Sequence, residues 1–182
     1  YESLKSGGSD FEAIASLGGE TFLVYTLDKE GKIAGVISKN QCASGTGEFF
    51  LQQIKRMDLD IDSVMQTAQG ANPYKVSGRC SVFCKSDCTH ALNKGTSKGA
   101  VSAGLAKMMA EKIEELLRKA KVEKVVFTGG VTRNKLVMDF LRDEFPMLYI
   151  PDESYYFEAL GAAVYALDKN LEPLPDFENV FH

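Results

Sequence analysis

The chain has 182 residues and a formal net charge of −4, a size that suits one medium domain or two small lobes. This acidic balance, without a long block of lysine or arginine, argues against nucleic acid as a partner, because phosphate backbones need a basic footprint. The sequence has no apolar run of about 18 residues that would span a membrane. Its four cysteines are too few for a disulfide-stapled scaffold, so we expect a cytoplasmic protein.

The first half of the sequence predicts three strands followed by helices. Apolar segments at 11–19 and 22–28 predict strands, and 32–38 predicts a third that pairs with the second around a turn at Gly31. Apolar residues at three- and four-residue spacings then predict helices. These helices are expected at 47–57, 61–69 and 81–92.

The second half alternates helices with strands. The longest helix is expected at 97–120, where apolar residues form a persistent face. A buried strand at 124–130 runs directly into a glycine pair. The remaining segments predict a helix, a short strand and a final helix, at 134–144, 148–151 and 157–167.

Strands that alternate with helices behind an antiparallel hairpin indicate an α/β domain. We expect this domain at 11–167, between a lead segment at 1–10 and an irregular tail at 168–182. The first residue is tyrosine, so we also expect an excised or processed piece whose upstream parts are missing.

Two glycine pairs follow predicted strands and can approach a ligand closely. At Gly18 and Gly19, a backbone without Cβ atoms can present N–H groups to phosphate oxygens, and Thr21 can add a hydroxyl. At Gly129 and Gly130, the chain leaves a buried strand shortly before a helix, the usual setting for a nucleotide. A tight turn without a ligand is the alternative for either pair taken singly.

Three of the four cysteines, Cys80, Cys84 and Cys88, form one stripe on a predicted helix. The sequence has no C-x₂-C knuckle of the kind that structural zinc uses, so we expect Cys84 and Cys88 to be buried packing residues. Cys42 and Cys80 differ, since each directly precedes a predicted helix, whose N–H groups and dipole stabilise a thiolate. Two chains about a two-fold axis would bring four such thiolates together, as an iron–sulfur cluster requires.

Acid–base residues are harder to assign from sequence. Glu20, Glu48, Asp87 and Glu158 are candidates by location alone, and a helix cap or a solvated surface position is the alternative for each. Two histidines, one of them the terminal His182, do not support a Ser/His/Asp triad.

Four segments together resemble the BadF/BadG/BcrA/BcrD ATPase family. They are NQCASGTGEFF at 40–50, GRCSVFCKSD at 78–87, VVFTGGVTRN at 125–134 and EALGAAVYA at 158–166. This family includes activators of 2-hydroxyacyl-CoA dehydratases and ATPase subunits of benzoyl-CoA reductases. The resemblance implies a ribonuclease H-like lobe of the actin/sugar kinase/heat-shock chaperone superfamily.

The resemblance also implies an activity and its cofactors. Such activators are homodimers that share one 4Fe-4S cluster, held by residues matching Cys42 and Cys80 of each chain. ATP hydrolysis with Mg²⁺ drives an electron, received from reduced ferredoxin or flavodoxin, to the dehydratase or acyl-CoA reductase. Residues expected to bind ATP or ADP are Gly18, Gly19, Thr21, Gly129, Gly130 and Asn134.

The sequence departs from this family in two places. The second phosphate motif commonly reads DIGGQD but is SLGGET here, with Ser16 in place of the first acid. The acidic first phosphate motif of the preceding lobe does not occur in this sequence. We therefore expect weak or no ATP turnover from this chain by itself. The alternatives are a non-hydrolysing regulatory or assembly domain of the same fold and a sugar- or acetate-type kinase, which would not explain the cysteines.

Overall fold

The computed structural model describes residues 10–38 and 46–169, and these ranges contain five strands and six α-helices. The strands are β1 (Ala13–Leu17), β2 (Phe22–Leu27), β3 (Ile33–Ser38), β4 (Val125–Thr128) and β5 (Leu148–Tyr149). The helices are α1 (Gly47–Arg56), α2 (Ile61–Ala68), α3 (Ser81–Asn93), α4 (Lys98–Ala120), α5 (Lys135–Glu144) and α6 (Phe157–Asp168). A 3₁₀ turn, Gly130–Arg133, joins β4 to α5.

The five strands form one sheet in the order β3-β2-β1-β4-β5. β1 pairs with β2 antiparallel and with β4 parallel, and β4 pairs with β5 parallel. The predicted hairpin of β2 and β3 is confirmed, and Gly31 makes its turn with a φ of 78° that favours glycine. The sheet therefore confirms the α/β class expected from the sequence.

The core lies between one face of the sheet and the long helix α4. Ala13, Ala15 and Leu17 alternate along β1 and are fully buried, as the two-residue period of a strand requires. Helix α4 contributes a row of buried apolar residues on the facing side, which includes Leu105 and Ile113. Burial of this face supplies the main stabilisation of the domain.

Side-chain caps explain where four of the six described helices begin. Thr46, Ser97 and Asn134 each precede a helix, and their side-chain oxygens accept backbone N–H groups from its first turn. Asp60 and Ser63 form a reciprocal capping box at the start of α2. The helix predicted from position 97 accordingly begins at Lys98, because Ser97 has extended backbone angles.

Helix α4 packs against neighbouring backbone with no room for side chains at two glycines. A Cβ atom at Gly104 would lie 1.9 Å from the Tyr74 carbonyl oxygen, and one at Gly99 would lie 2.1 Å from that of Thr67. The Tyr74 N–H donates to the Ala100 carbonyl oxygen at 2.9 Å, which holds this approach in place. The glycines in this helix are therefore required by packing.

Helix α6 lies on the surface, and none of its residues is buried. Its exposed side chains include Val164, Tyr165 and Leu167. Across the described ranges, no helix combines the length and apolar character needed to cross a membrane.

Replacing Gly104 with alanine should lower the free energy of unfolding by about 3 kcal/mol, because the new methyl group would overlap the Tyr74 carbonyl. Gly161→Ala in α6 is the matched control, since no atom lies within 4 Å of its Cβ position. That control should be neutral or stabilising. Urea unfolding of both variants measures the difference, and equal stabilities would show that the close packing is not needed.

Candidate functional site

The parallel pairing of β1 with β4 brings the two glycine pairs to the same edge of the sheet. Gly18 closes a tight turn through its N–H, which donates to the Thr21 carbonyl oxygen at 3.0 Å. Gly129 has a φ of 91°, and a Cβ atom there would lie 2.5 Å from the Leu17 carbonyl oxygen. The first glycine of each pair therefore has a structural role in its turn.

A cavity of about 310 Å³ opens beside these turns. The second glycines, Gly19 and Gly130, line it together with Asn134. Leu51 and Met109 give it apolar walls. Pockets of this size, with apolar walls and a few polar groups, are typical of small-molecule sites.

The sequence-predicted residues thus take different positions around the cavity. Thr21 is exposed, and its carbonyl closes the first glycine turn. Asn134 is buried, and its side-chain oxygen accepts the Val137 N–H at 3.3 Å as the cap of α5. Three of the predicted residues do not line the cavity: Gly18, Thr21 and Gly129.

The N-terminus of α1 is fixed against the first glycine turn. The Glu48 N–H donates to the Gly19 carbonyl oxygen at 2.9 Å. A Cβ atom at Gly47 would lie 2.9 Å from a methyl group of Val131 and 3.2 Å from the Gly18 carbonyl oxygen. Because helix N-termini favour anions, this arrangement suits a phosphate next to the turn. Gly47 belongs to the quoted GTG segment, but its spacing alone did not mark it as part of the site.

Arg133 and Tyr155 form a wall of the cavity that the sequence did not reveal. The Arg133 guanidinium lies 5.4 Å from the centre of the Tyr155 ring, which is 62% exposed. The loop that carries Tyr155 is held by the Gly129 N–H, which donates to the Ser154 carbonyl oxygen at 2.7 Å. Tyr155 lies in an irregular loop without a motif, so no pattern indicated it, whereas Arg133 precedes a helix cap in the VTRN segment.

Of the four candidate carboxylates, three have hydrogen-bond partners near functional segments. Glu158 accepts a hydrogen bond from the Ser16 hydroxyl. Glu48 lines the cavity, and its carboxylate accepts from the Gln52 amide at 3.0 Å in an exposed position. Asp87 accepts the Ser77 N–H at 2.8 Å, which ties the start of the GRC segment to α3. Glu20 is exposed in the turn after β1.

Cys80 lies immediately before α3, as predicted, and is half-buried. Its side chain makes no capping hydrogen bond to the first turn of α3. Cys42 lies outside the described residues. Within residues 10–38 and 46–169, no group of three or more potential metal ligands occurs.

The burial predicted for Cys84 and Cys88 is confirmed, since they are 0% and 4% exposed. A hydrogen bond to Cys88, together with burial, raises the pKa of the Cys84 thiol above its ordinary value. A protonated, buried thiol behaves as a small apolar side chain, so Cys84 contributes packing.

Known proteins are similar to most of this chain. The BadF/BadG/BcrA/BcrD ATPase family matches residues 3–166. A 2-hydroxyisocaproyl-CoA dehydratase activator from Clostridioides difficile is 28% identical over 170 residues, 92% of this chain and 64% of the relative. A benzoyl-CoA reductase subunit from Thauera aromatica is 26% identical over 147 residues, 76% of this chain and 52% of the relative.

The solved structures show the same fold. An activator of the 2-hydroxyisocaproyl-CoA dehydratase from Clostridium difficile with bound ADPNP has a TM-score of 0.81 at 26% identity, covering 92% of this chain and 66% of the other. This likeness confirms the fold expected from the resemblance, that of the actin-like ATPases. The chain spans less than two thirds of the length of these relatives. It belongs to the BadF/BadG/BcrA/BcrD ATPase family.

Proposed function

We propose that this chain is the nucleotide- and cluster-binding part of an ATP-dependent activator in the cytoplasm. Its partner would be a 2-hydroxyacyl-CoA dehydratase or an acyl-CoA reductase, to which it passes an electron from reduced ferredoxin or flavodoxin. The observation that carries the proposal is the cavity at the joined ends of β1 and β4. The similar activator with bound ADPNP supports it.

The two ends of the cavity suit the two ends of ATP or ADP. Gly19 and the N-terminus of α1 offer bare backbone and a helix dipole, which favour phosphate oxygens. Arg133 and Tyr155 offer a flat cationic and aromatic surface, which favours stacking with a purine base. Gly130 leaves space between these two ends, because it carries no side chain.

Replacing Tyr155 with alanine should weaken ADP binding about tenfold, since loss of one base–aromatic stack costs roughly 1–3 kcal/mol. Tyr156→Ala is a matched control, because Tyr156 is also exposed, at 54%, and does not line the cavity. Titration calorimetry with ADP measures both. Equal affinities for the two variants would contradict the placement of the base.

The proposed cluster site is assembled from two chains. A half-buried thiol at a helix N-terminus, free of any capping bond, fits a thiolate ligand, and Cys80 meets this description. Cys42 would supply the second ligand, and a two-fold partner the other pair. When bound, a 4Fe-4S cluster supplies one-electron transfer at low potential. Asp87 and Ser77 would hold the Cys80 segment in place.

Anaerobic reconstitution with iron and sulfide should load about two irons per chain, because one four-iron cluster is shared by two chains. Cys42→Ser and Cys80→Ser should each abolish loading and dimerisation. Cys84→Ala is the control and should keep its iron, since that thiol is buried as a packing residue. Iron assay, visible absorption and sedimentation give the readouts, and loading that survives Cys80→Ser would overturn the ligand assignment.

A non-hydrolysing regulatory or assembly domain is the second candidate, and Ser16 in SLGGET is the observation that favours it. If the chain is part of an ATP-hydrolysing activator, ATP hydrolysis should be weak or absent in this chain and substantial in a version extended upstream. A coupled phosphate-release assay compares the two. Equal and substantial rates would contradict the need for a further lobe, and no rate in either would favour the regulatory role.

A further inference from the structure

Ser16 and Glu158 meet at the edge of the sheet although 142 residues separate them. Ser16 is the fourth residue of β1, two positions before Gly18, and is only 8% exposed. Glu158 lies in the first turn of α6. The Ser16 hydroxyl donates to one carboxylate oxygen of Glu158, which leaves the second oxygen available.

We propose that Glu158 supplies, from α6, the carboxylate that faces the Mg²⁺ ion of bound ATP or ADP. The inference rests on the proposed nucleotide site and adds a residue that faces its metal ion. The Ser16 hydroxyl and the Glu158 carboxylate are hard oxygen donors, which Mg²⁺ takes directly or through water. These residues therefore fit the ion.

The position of the contact supports this role. Ser16 lies at the strand end that leads into Gly18 and Gly19, the turn proposed to face the phosphates. A serine at this position carries no negative charge, but its hydroxyl can hydrogen-bond to the Glu158 carboxylate of α6. Glu48 is an exposed acid that lines the cavity, and one of its carboxylate oxygens accepts a hydrogen bond from Gln52 in the same helix.

The competing explanation is that the hydrogen bond only tethers α6 to β1. Three variants distinguish this structural role from a role of the Glu158 charge. Glu158→Gln keeps an amide oxygen that accepts the Ser16 hydrogen bond but removes the charge. Ser16→Ala removes the hydroxyl and keeps the carboxylate. The double variant Ser16→Asp with Glu158→Gln moves the carboxylate from α6 to β1.

The test is titration calorimetry of ADP with excess Mg²⁺ and, separately, with excess EDTA. We expect Glu158→Gln to lose about tenfold in affinity with Mg²⁺, the cost of one interaction with a charged group, and to match the wild type in EDTA. The double variant should regain most of this loss. Glu153→Gln is the control, an exposed acid in the preceding turn, and should be unchanged.

Two outcomes would overturn the inference while leaving the proposed function intact. If Glu158→Gln lost equal affinity for ADP in Mg²⁺ and in EDTA, Glu158 would only hold α6 in place. If it lost no affinity in either, Glu158 would not interact with the metal. Thermal unfolding of each variant confirms that it is folded. If the folded wild type binds no nucleotide under either condition, the proposed function fails and the inference fails with it.

Discussion

The parallel pairing of β1 with β4 is the constraint on which the candidate site depends. This pairing runs from Ala13 opposite Val125 to Ser16 opposite Thr128, so both strands end at the same edge. The chain must then turn away twice within a small space. Gly129 meets this demand, because its missing Cβ lets it lie against the Leu17 carbonyl. The cavity results from two strands that end together and two turns without side chains.

Helix α4 also helps to fix the geometry of the cavity. Its close backbone contacts at Gly99 and Gly104 fix its position, and the same helix places Met109 in the wall of the cavity. Packing energy and site geometry are therefore linked, because a shift of α4 would move that wall. Close-packed protein interiors transmit such shifts rather than absorb them.

Local patterns predicted the elements of this fold well. The apolar segment that forms β1, the helix starts near 97 and 134 and the glycine pairs are encoded within a few residues. The strand order and the meeting of Ser16 with Glu158 are not, since they depend on how distant segments pack.

The site shows the same division between local and long-range information. Gly19, Gly130 and Asn134 were predicted to bind the nucleotide and do line the cavity, although their binding role stays a prediction. Tyr155 was missed, because its position comes from a loop whose Ser154 carbonyl oxygen accepts a hydrogen bond from the Gly129 N–H. Cys42 stays a sequence-based prediction, whereas Cys80 has the helix-start position expected of it.

Hydrogen exchange with and without Mg²⁺ and ADP tests the account most directly, because it reports which backbone segments a ligand protects. We predict slower exchange in three segments that are distant in sequence, at 17–21, 46–52 and 129–134, together with the loop that carries Tyr155. Protection confined to another surface, for example the cavity between α2 and α5, or no protection at saturating nucleotide, would contradict a nucleotide site at the joined ends of β1 and β4.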